Sequence, residues 1–191
     1  MENQGYIHYR KGTPTMFWLR EALGEDVVNR AMAKMLQRYA FKGAPYSNAR
    51  DFIEILRAEA GPQHDGLITD LLEKITLFDV KVTSAQASKR GDGRYEVKID
   101  VEARKLYADG TGKETEAPLD EPFEVGVFTI EPGKSGFNAA SVLRFERQPL
   151  KGGKQTLTAV VDSEPKFAGV DPYNKRIDRN SDDNVSRVEL K

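Results

Sequence analysis

Leu71-Leu72-Glu73-Lys74-Ile75-Thr76-Leu77-Phe78-Asp79-Val80-Lys81-Val82 is the stretch in which the apolar period changes. Leu67, Ile68, Leu71, Leu72 and Ile75 recur at helical spacing, whereas Phe78, Val80 and Val82 alternate with polar neighbours. A period of three to four buries one stripe of a helix, and a period of two buries one face of a strand. The boundary near Thr76 therefore predicts an α+β chain, with helices before it and strands after it.

Working back from that boundary, the sequence predicts three earlier helices. The first runs from near Thr13 to Leu23, with Pro14 tolerated in its first turn and Gly24 suited to its C-terminal end. The second follows at once, with Glu25 and Asp26 at its positive end and Val27, Val28, Ala31, Met32, Met35, Leu36 and Tyr39 as its apolar side. Met32 and Met35 read as core filling. The third starts after Ser47 or Asn48, buries Phe52, Ile53 and Leu56, and stops at Gly61-Pro62. Short connections make these helices antiparallel neighbours.

Working forward, Gly91-Asp92-Gly93 turns the chain into Tyr95, Val97, Ile99, Val101 and Ala103, which predicts a hairpin. Further strands are expected over Phe123 to Ile130, Ser141 to Arg147 and Gln155 to Val161, between the turn-rich segments 109–112, 131–134 and 151–153. Strands at this spacing predict an antiparallel β-sandwich of immunoglobulin-like type. The expected divisions are helices over 1–76, a sandwich over 77–170 and a polar tail over 171–191 that can fold back on the sandwich.

Composition narrows the function. The 191 residues carry 29 Lys plus Arg against 30 Asp plus Glu, for a net charge of −1, and this balance argues against nucleic acid or an anionic lipid surface as a partner. With no Cys and two His, thiolate chemistry and every Cys-based metal site are excluded. No run approaches the roughly 18 to 20 apolar residues of a membrane-spanning helix, so the piece by itself is expected to be soluble. Met1 to Gly5 lacks the pattern of a signal peptide and leads directly into a Tyr-rich segment, which reads as part of something longer.

Tyr6-Ile7-His8-Tyr9-Arg10-Lys11-Gly12 places two phenols, an imidazole and two cations before the first helix. Such groups can stabilise an oxyanion, or they can pack at a layer's edge with one hydrogen bond each. Tyr9 to Gly12, followed by Phe17-Trp18-Leu19-Arg20-Glu21-Ala22-Leu23-Gly24, resembles the Tyr-x-Lys-Gly segment and next helix of the aminopeptidase N and leukotriene hydrolase family of zinc metallopeptidases. Leu23 to Asp26, Arg38 to Phe41 and Ala49 to Phe52 are similar to that family as well.

The resemblance implies that the hydroxyl of Tyr9 bonds the oxyanion formed in peptide hydrolysis; Tyr6 is the competing phenol, without Lys and Gly at the right spacing. The family's His-Glu-x-x-His zinc motif is absent, so zinc and its ligands are expected upstream, in a longer protein that binds the peptide substrate. Alone, this chain is expected to be inactive.

Gly169 to Tyr173 and Ile177 to Asn184 resemble the C-terminal part of bacterial proteins in which such a domain is fused to an ABC-type permease. That implies an inner-membrane parent with this part periplasmic, the upstream catalytic domain as its partner, and membrane contact only through the permease. The alternative is a non-catalytic extracytoplasmic interaction module of such a permease.

Three other features carry competing readings. Asp178, Asn180, Asp182, Asn184 and Glu189 occupy positions one, three, five, seven and twelve of an EF-hand-type loop, with Val185 at the eighth. Asp183 stands where the loop requires Gly, however, and Pro172 leaves little room for an entering helix, so local turns are the competing reading. His64 beside Asp65 is similar to a catalytic dyad but reads as a loop residue near a helix start, and Arg144, Phe145, Arg147 and Lys151 form a basic aromatic patch or, the favoured reading, a solvated strand edge.

Overall fold

In the computed structural model, which describes residues 12–191, the chain divides into two compact units, Met1–Thr76 and Leu77–Lys191. The fold is α+β, with helices in the first unit and two largely antiparallel sheets in the second. In the first unit, α1 (Gly12–Leu23) and α2 (Glu25–Tyr39) are separated by Gly24 alone. Its φ of 88° is open to a residue without a side chain, and its N–H closes α1 on the carbonyl of Arg20 at 2.9 Å.

The third helix, α3 (Ala49–Ala60), begins with a capping box. Asn48 accepts a bond from the Arg50 N–H at 2.8 Å, and Asp51 accepts one from the Asn48 N–H at 2.8 Å. Helices α2 and α3 run antiparallel: the Tyr39 hydroxyl donates to Asp51 at 2.7 Å at one end, while Arg30 and Lys34 meet Glu59 at the other. Trp18, Leu19, Val28, Ala31 and Leu56 are buried.

Two expectations fail in this unit. Met32 is not core filling, being 49% exposed beside Leu36 at 66%. Ile75 is not on the fourth helix; it is exposed and opens the first strand. That helix is α4 (Asp65–Ile68), continued as a wider π turn over Thr69–Glu73. The N–H of Lys74 and the hydroxyl of Thr76 take up the carbonyls of Thr69 and Asp70, which ends the turn before Ile75. Arg57 ties α3 to this segment through Asp65 at 2.9 Å and Thr69 and Glu73 at 2.7 Å.

The second unit opens with the expected hairpin, β1 (Ile75–Lys89) and β2 (Tyr95–Ala108), turned over Arg90 to Gly93. Alternation in β1 slips by one residue between the buried Val82 and Ala85. There the hydroxyls of Thr83 and Ser84 donate to the carbonyl and carboxylate of Asp100 on β2. Beyond β2, the first sheet continues with β3 (Glu114–Ala117) and β6 (Gly153–Val161), each antiparallel to it.

The second sheet has the order β5 (Val142–Lys151), β4 (Asp120–Phe128), β7 (Phe167–Val170) and β8 (Val185–Arg187). Phe78 and Val80 of the first sheet, and Phe123 and Val125 of the second, are buried, and the rings of Phe78 and Phe123 meet edge-on at 5.6 Å. Each fully buried Phe is worth about 1.5–3 kcal/mol over an exposed one, so this face holds much of the unit's stability.

The segment expected as a polar tail belongs to both sheets. Strand β8 extends the second sheet, and β9 (Glu189–Leu190) runs parallel to β1, with Gln86 opposite Glu189. Strands β3, β7, β8 and β9 are too short to show a period, and the sequence reading missed them.

Gly169 shows how closely the added segment is applied: a Cβ there would lie 2.3 Å from the backbone oxygen of Asn184. Backbone cannot swing aside as a side-chain tip can, so Gly169→Ala is expected to destabilise the chain by about 1–3 kcal/mol. Denaturation followed by circular dichroism at the strand band checks this.

Candidate functional site

Tyr9, the residue to which the oxyanion role was carried, lies outside the described residues, as do Tyr6 and His8. Among the described residues no group of three or more His, Cys, Asp or Glu could hold a metal ion. His64 ends a short turn, Pro62–His64, and the neighbouring Asp65 carboxylate accepts from Arg57, so His64 and Asp65 do not form a dyad.

Two of the five residues with calcium-loop spacing, Asp178 and Asn180, have side chains engaged elsewhere. Asp178 accepts from the N–H groups of Val80 at 3.1 Å and Asn180 at 2.9 Å. Asn180 accepts from the N–H of Asp182 and donates to Asp183. Asn184 is fully buried, and Glu189 lies in β9. These bonds make turns and join the segment to β1, as the local-turn reading expects.

The concentrated chemistry of the second unit is an ion cluster that the sequence reading did not assemble. Asp171 is buried at a φ of 46°, and its own N–H donates to the carbonyl of Glu124 at 2.8 Å. Its carboxylate accepts the N–H groups of Lys175 at 3.0 Å and Arg176 at 2.9 Å, which closes the chain into a tight turn.

That turn sends the Arg176 side chain inward. Its guanidinium lies 4.5 Å from the Phe123 ring centroid, donates to the Pro122 carbonyl at 2.9 Å, and stands 3.8 Å from the carboxylate of Glu121. Lys105, buried on β2, reaches the same Glu121 at 2.6 Å, and Lys175 reaches Glu124 at 2.8 Å.

Burial dominates the electrostatics. Loss of water pushes the Asp171 carboxyl up to about 6, against the opposing pull of the two N–H donors and Arg176. It pulls Arg176 down to about 10, with Glu121, Asp171 and Glu124 acting the other way. Such a cluster holds backbone in place; it contains no activated nucleophile. One sign of it was present in the sequence: Lys105 continues the inward series Val97, Ile99, Val101 and Ala103, where a charge needs a partner.

Close to the same turn, Glu131, Pro132, Lys134, Asn174 and Asp182 line an open pocket of about 460 Å³. Phe145 and Tyr173, with ring centroids 5.1 Å apart, remain partly exposed. No family model matches the chain, and no curated protein matches it.

Two predictions follow the cluster. Arg176→Leu leaves Glu121 and Asp171 short of a buried partner and is expected to cost about 3–5 kcal/mol in chemical denaturation. For Asp171 the sign is set by a carboxyl raised on folding: its protonated form favours the fold, and that contribution is lost as the pH rises toward and through about 6. The stability of the native chain relative to Asp171→Asn should therefore fall by up to about 3 kcal/mol between about pH 4 and about pH 7. Paired urea titrations across that range measure it.

Proposed function

We propose that this chain is the C-terminal part of a zinc aminopeptidase-like protein of the type fused to an ABC-type permease, with Tyr9 as its oxyanion donor. The observation that carries the reading is the uncovered apolar surface of the helical unit. Met32 and Leu36 on α2 are large, apolar and exposed, while the other side of the same helix is buried. A helical layer with one finished face and one open face has the surface that a neighbouring domain covers. In this reading that neighbour is the upstream catalytic domain, and the second unit is an immunoglobulin-like sandwich that follows in the chain.

Residues upstream of this chain would hold the zinc, which would supply Lewis-acid polarisation of the scissile carbonyl. The Tyr9 hydroxyl then donates a hydrogen bond to the oxygen on which negative charge develops, a contact stronger in the transition state than in the ground state. This chain, with His8 and His64 as its two imidazoles and no Cys, is inactive alone. The parent protein sits in a bacterial inner membrane, with this part in the periplasm.

One observation favours a second reading, a non-catalytic extracytoplasmic interaction module. The second unit carries its own partly exposed aromatic pair, Phe145 and Tyr173, beside an open pocket.

Zinc content and aminopeptidase turnover of the full-length parent, with this chain as the control, separate the two. The peptidase reading expects both in the parent and neither in the chain. Tyr9→Phe in the parent should lower turnover by about 10²–10³-fold, as loss of an oxyanion donor does, with zinc content unchanged. A parent without zinc or turnover would leave the interaction module.

A further inference from the structure

The second sheet carries an aromatic surface on the face turned away from the core. Directly paired residues share a face of a sheet, so Phe145, Gly126, Gly169 and Val185 form one row across β5, β4, β7 and β8. Val125 and Val127, on either side of Gly126, belong to the opposite face and are buried. The ring of Phe128 fills the space that a side chain at Gly126 would need, 2.1 Å from its Cβ position. Tyr173 rests against the rings of Phe128, Phe137 and Phe145, with centroids 6.5, 6.4 and 5.1 Å away. Three ring contacts hold it in place, yet Tyr173 is 40% exposed and Phe145 39%.

The residues on either side of Tyr173, Pro172 and Asn174, line the pocket of about 460 Å³, so the aromatic pair adjoins it. The polar lining is mixed. Glu131 and Lys134 stand 3.9 Å apart and largely cancel, which leaves Asp182 as the unbalanced charge among the lining residues. The side chains of Asn174, Ser181 and Asp182 make no hydrogen bond or ion pair with a described residue. Between Asp182 and Val185, both lining residues, Asn184 is fully buried, and its Oδ1 and Nδ2 also lack a partner among the described residues. Leaving a buried amide unpaired is costly, so this wall has hydrogen-bonding capacity that the chain itself does not use.

We infer that the pocket and the Phe145–Tyr173 pair form a binding site for a neutral saccharide, with one sugar ring laid on the aromatic pair and the next in the pocket. The C–H edges of a pyranose suit the electron-rich face of an aromatic ring. Its hydroxyls both donate and accept, which matches a carboxylate, an amide and a hydroxyl whose bonds are unused. Other ligand classes fit less well. An anion would face two carboxylates against one ammonium, a purely apolar molecule would strand the polar lining, and a cation would leave the donors of Lys134 and Asn174 unanswered. A volume of this size takes a small molecule. The site lies wholly in the second unit and goes beyond both readings above: a chain that takes up no saccharide sinks it, whatever the zinc content and turnover of the parent.

The test is calorimetric titration of the 191-residue chain with maltotriose, cellotriose and triacetylchitotriose, and with trilysine as a cationic probe. At least one of the saccharides is expected to bind with a Kd of about 1 mM or tighter, and salt should leave that Kd unchanged because no charge is neutralised. Tyr173→Ala should weaken binding about tenfold, whereas Tyr173→Phe, which keeps the ring, should not. Asp182 is exposed and its side chain unpaired among the described residues, so Asp182→Asn keeps the fold while weakening binding about fivefold. That variant decides the matter if Tyr173→Ala fails to fold. Heat from none of the saccharides overturns the proposal, as does saccharide binding that Asp182→Asn leaves intact. Binding of trilysine alone, lost at high salt, also overturns it, in favour of a cation site.

Discussion

Arg176 cannot be treated as an ordinary surface residue that happens to be covered. A guanidinium keeps its charge at any physiological pH, so once buried it must be surrounded by groups that replace water. In this chain those groups come from separate stretches: the Pro122 carbonyl, the Glu121 carboxylate and the ring of Phe123 on one strand, and the ring of Phe78 on another. The turn from Asp171 to Arg176 is bent so that this side chain arrives at that place. The course of the segment after β7 follows from the need to satisfy one charge. The same need draws in Lys105, which shares Glu121 and would otherwise be a buried cation near a second one.

The two halves of the molecule solve the burial problem to different extents. In the second unit the inward faces of both sheets are closed, and even the open seam between β5 and β6 is bridged, by Arg144 to the carbonyl of Val160 and Gln148 to that of Thr158. Exposed strand edges invite pairing with other chains, and side chains laid across them hinder it. In the helical unit, α2 has a covered stripe, Val28 and Ala31, next to an uncovered one, Met32 and Leu36. A helix apolar on more than one side is made for two neighbours.

That difference explains what could be read from the residues. Helix ends were legible where a special residue marks them: Gly24 separates α1 from α2, and Asn48 and Gly61 bracket α3. Long strands were legible in β2, whose period of two runs unbroken from Val97 to Ala103. The reading failed where a local rule met a distant partner. Leu71, Leu72 and Ile75 have helical spacing, yet the wider turn over Thr69–Glu73 keeps the two leucines and ends before Ile75, which opens β1. Asp178 bonds backbone across the fold, at the N–H of Val80, and no local pattern reveals that backbone. The oxyanion Tyr rests on resemblance, and the ion cluster, drawn from β2, β4 and a turn, has no motif.

The pairing of β9 with β1 has a bearing on how the protein is made. Gln86 meets Glu189, and the carboxylate of Asp178 receives the N–H of Val80 from 98 residues away. A chain emerging from the ribosome would display β1 with one side unpaired through the synthesis of about the next hundred residues, in a period when the helices, held by near neighbours, could already have folded. The slow step in maturation is then the arrival of the final strands, and a holding chaperone would be most useful on the hairpin β1–β2 until they come.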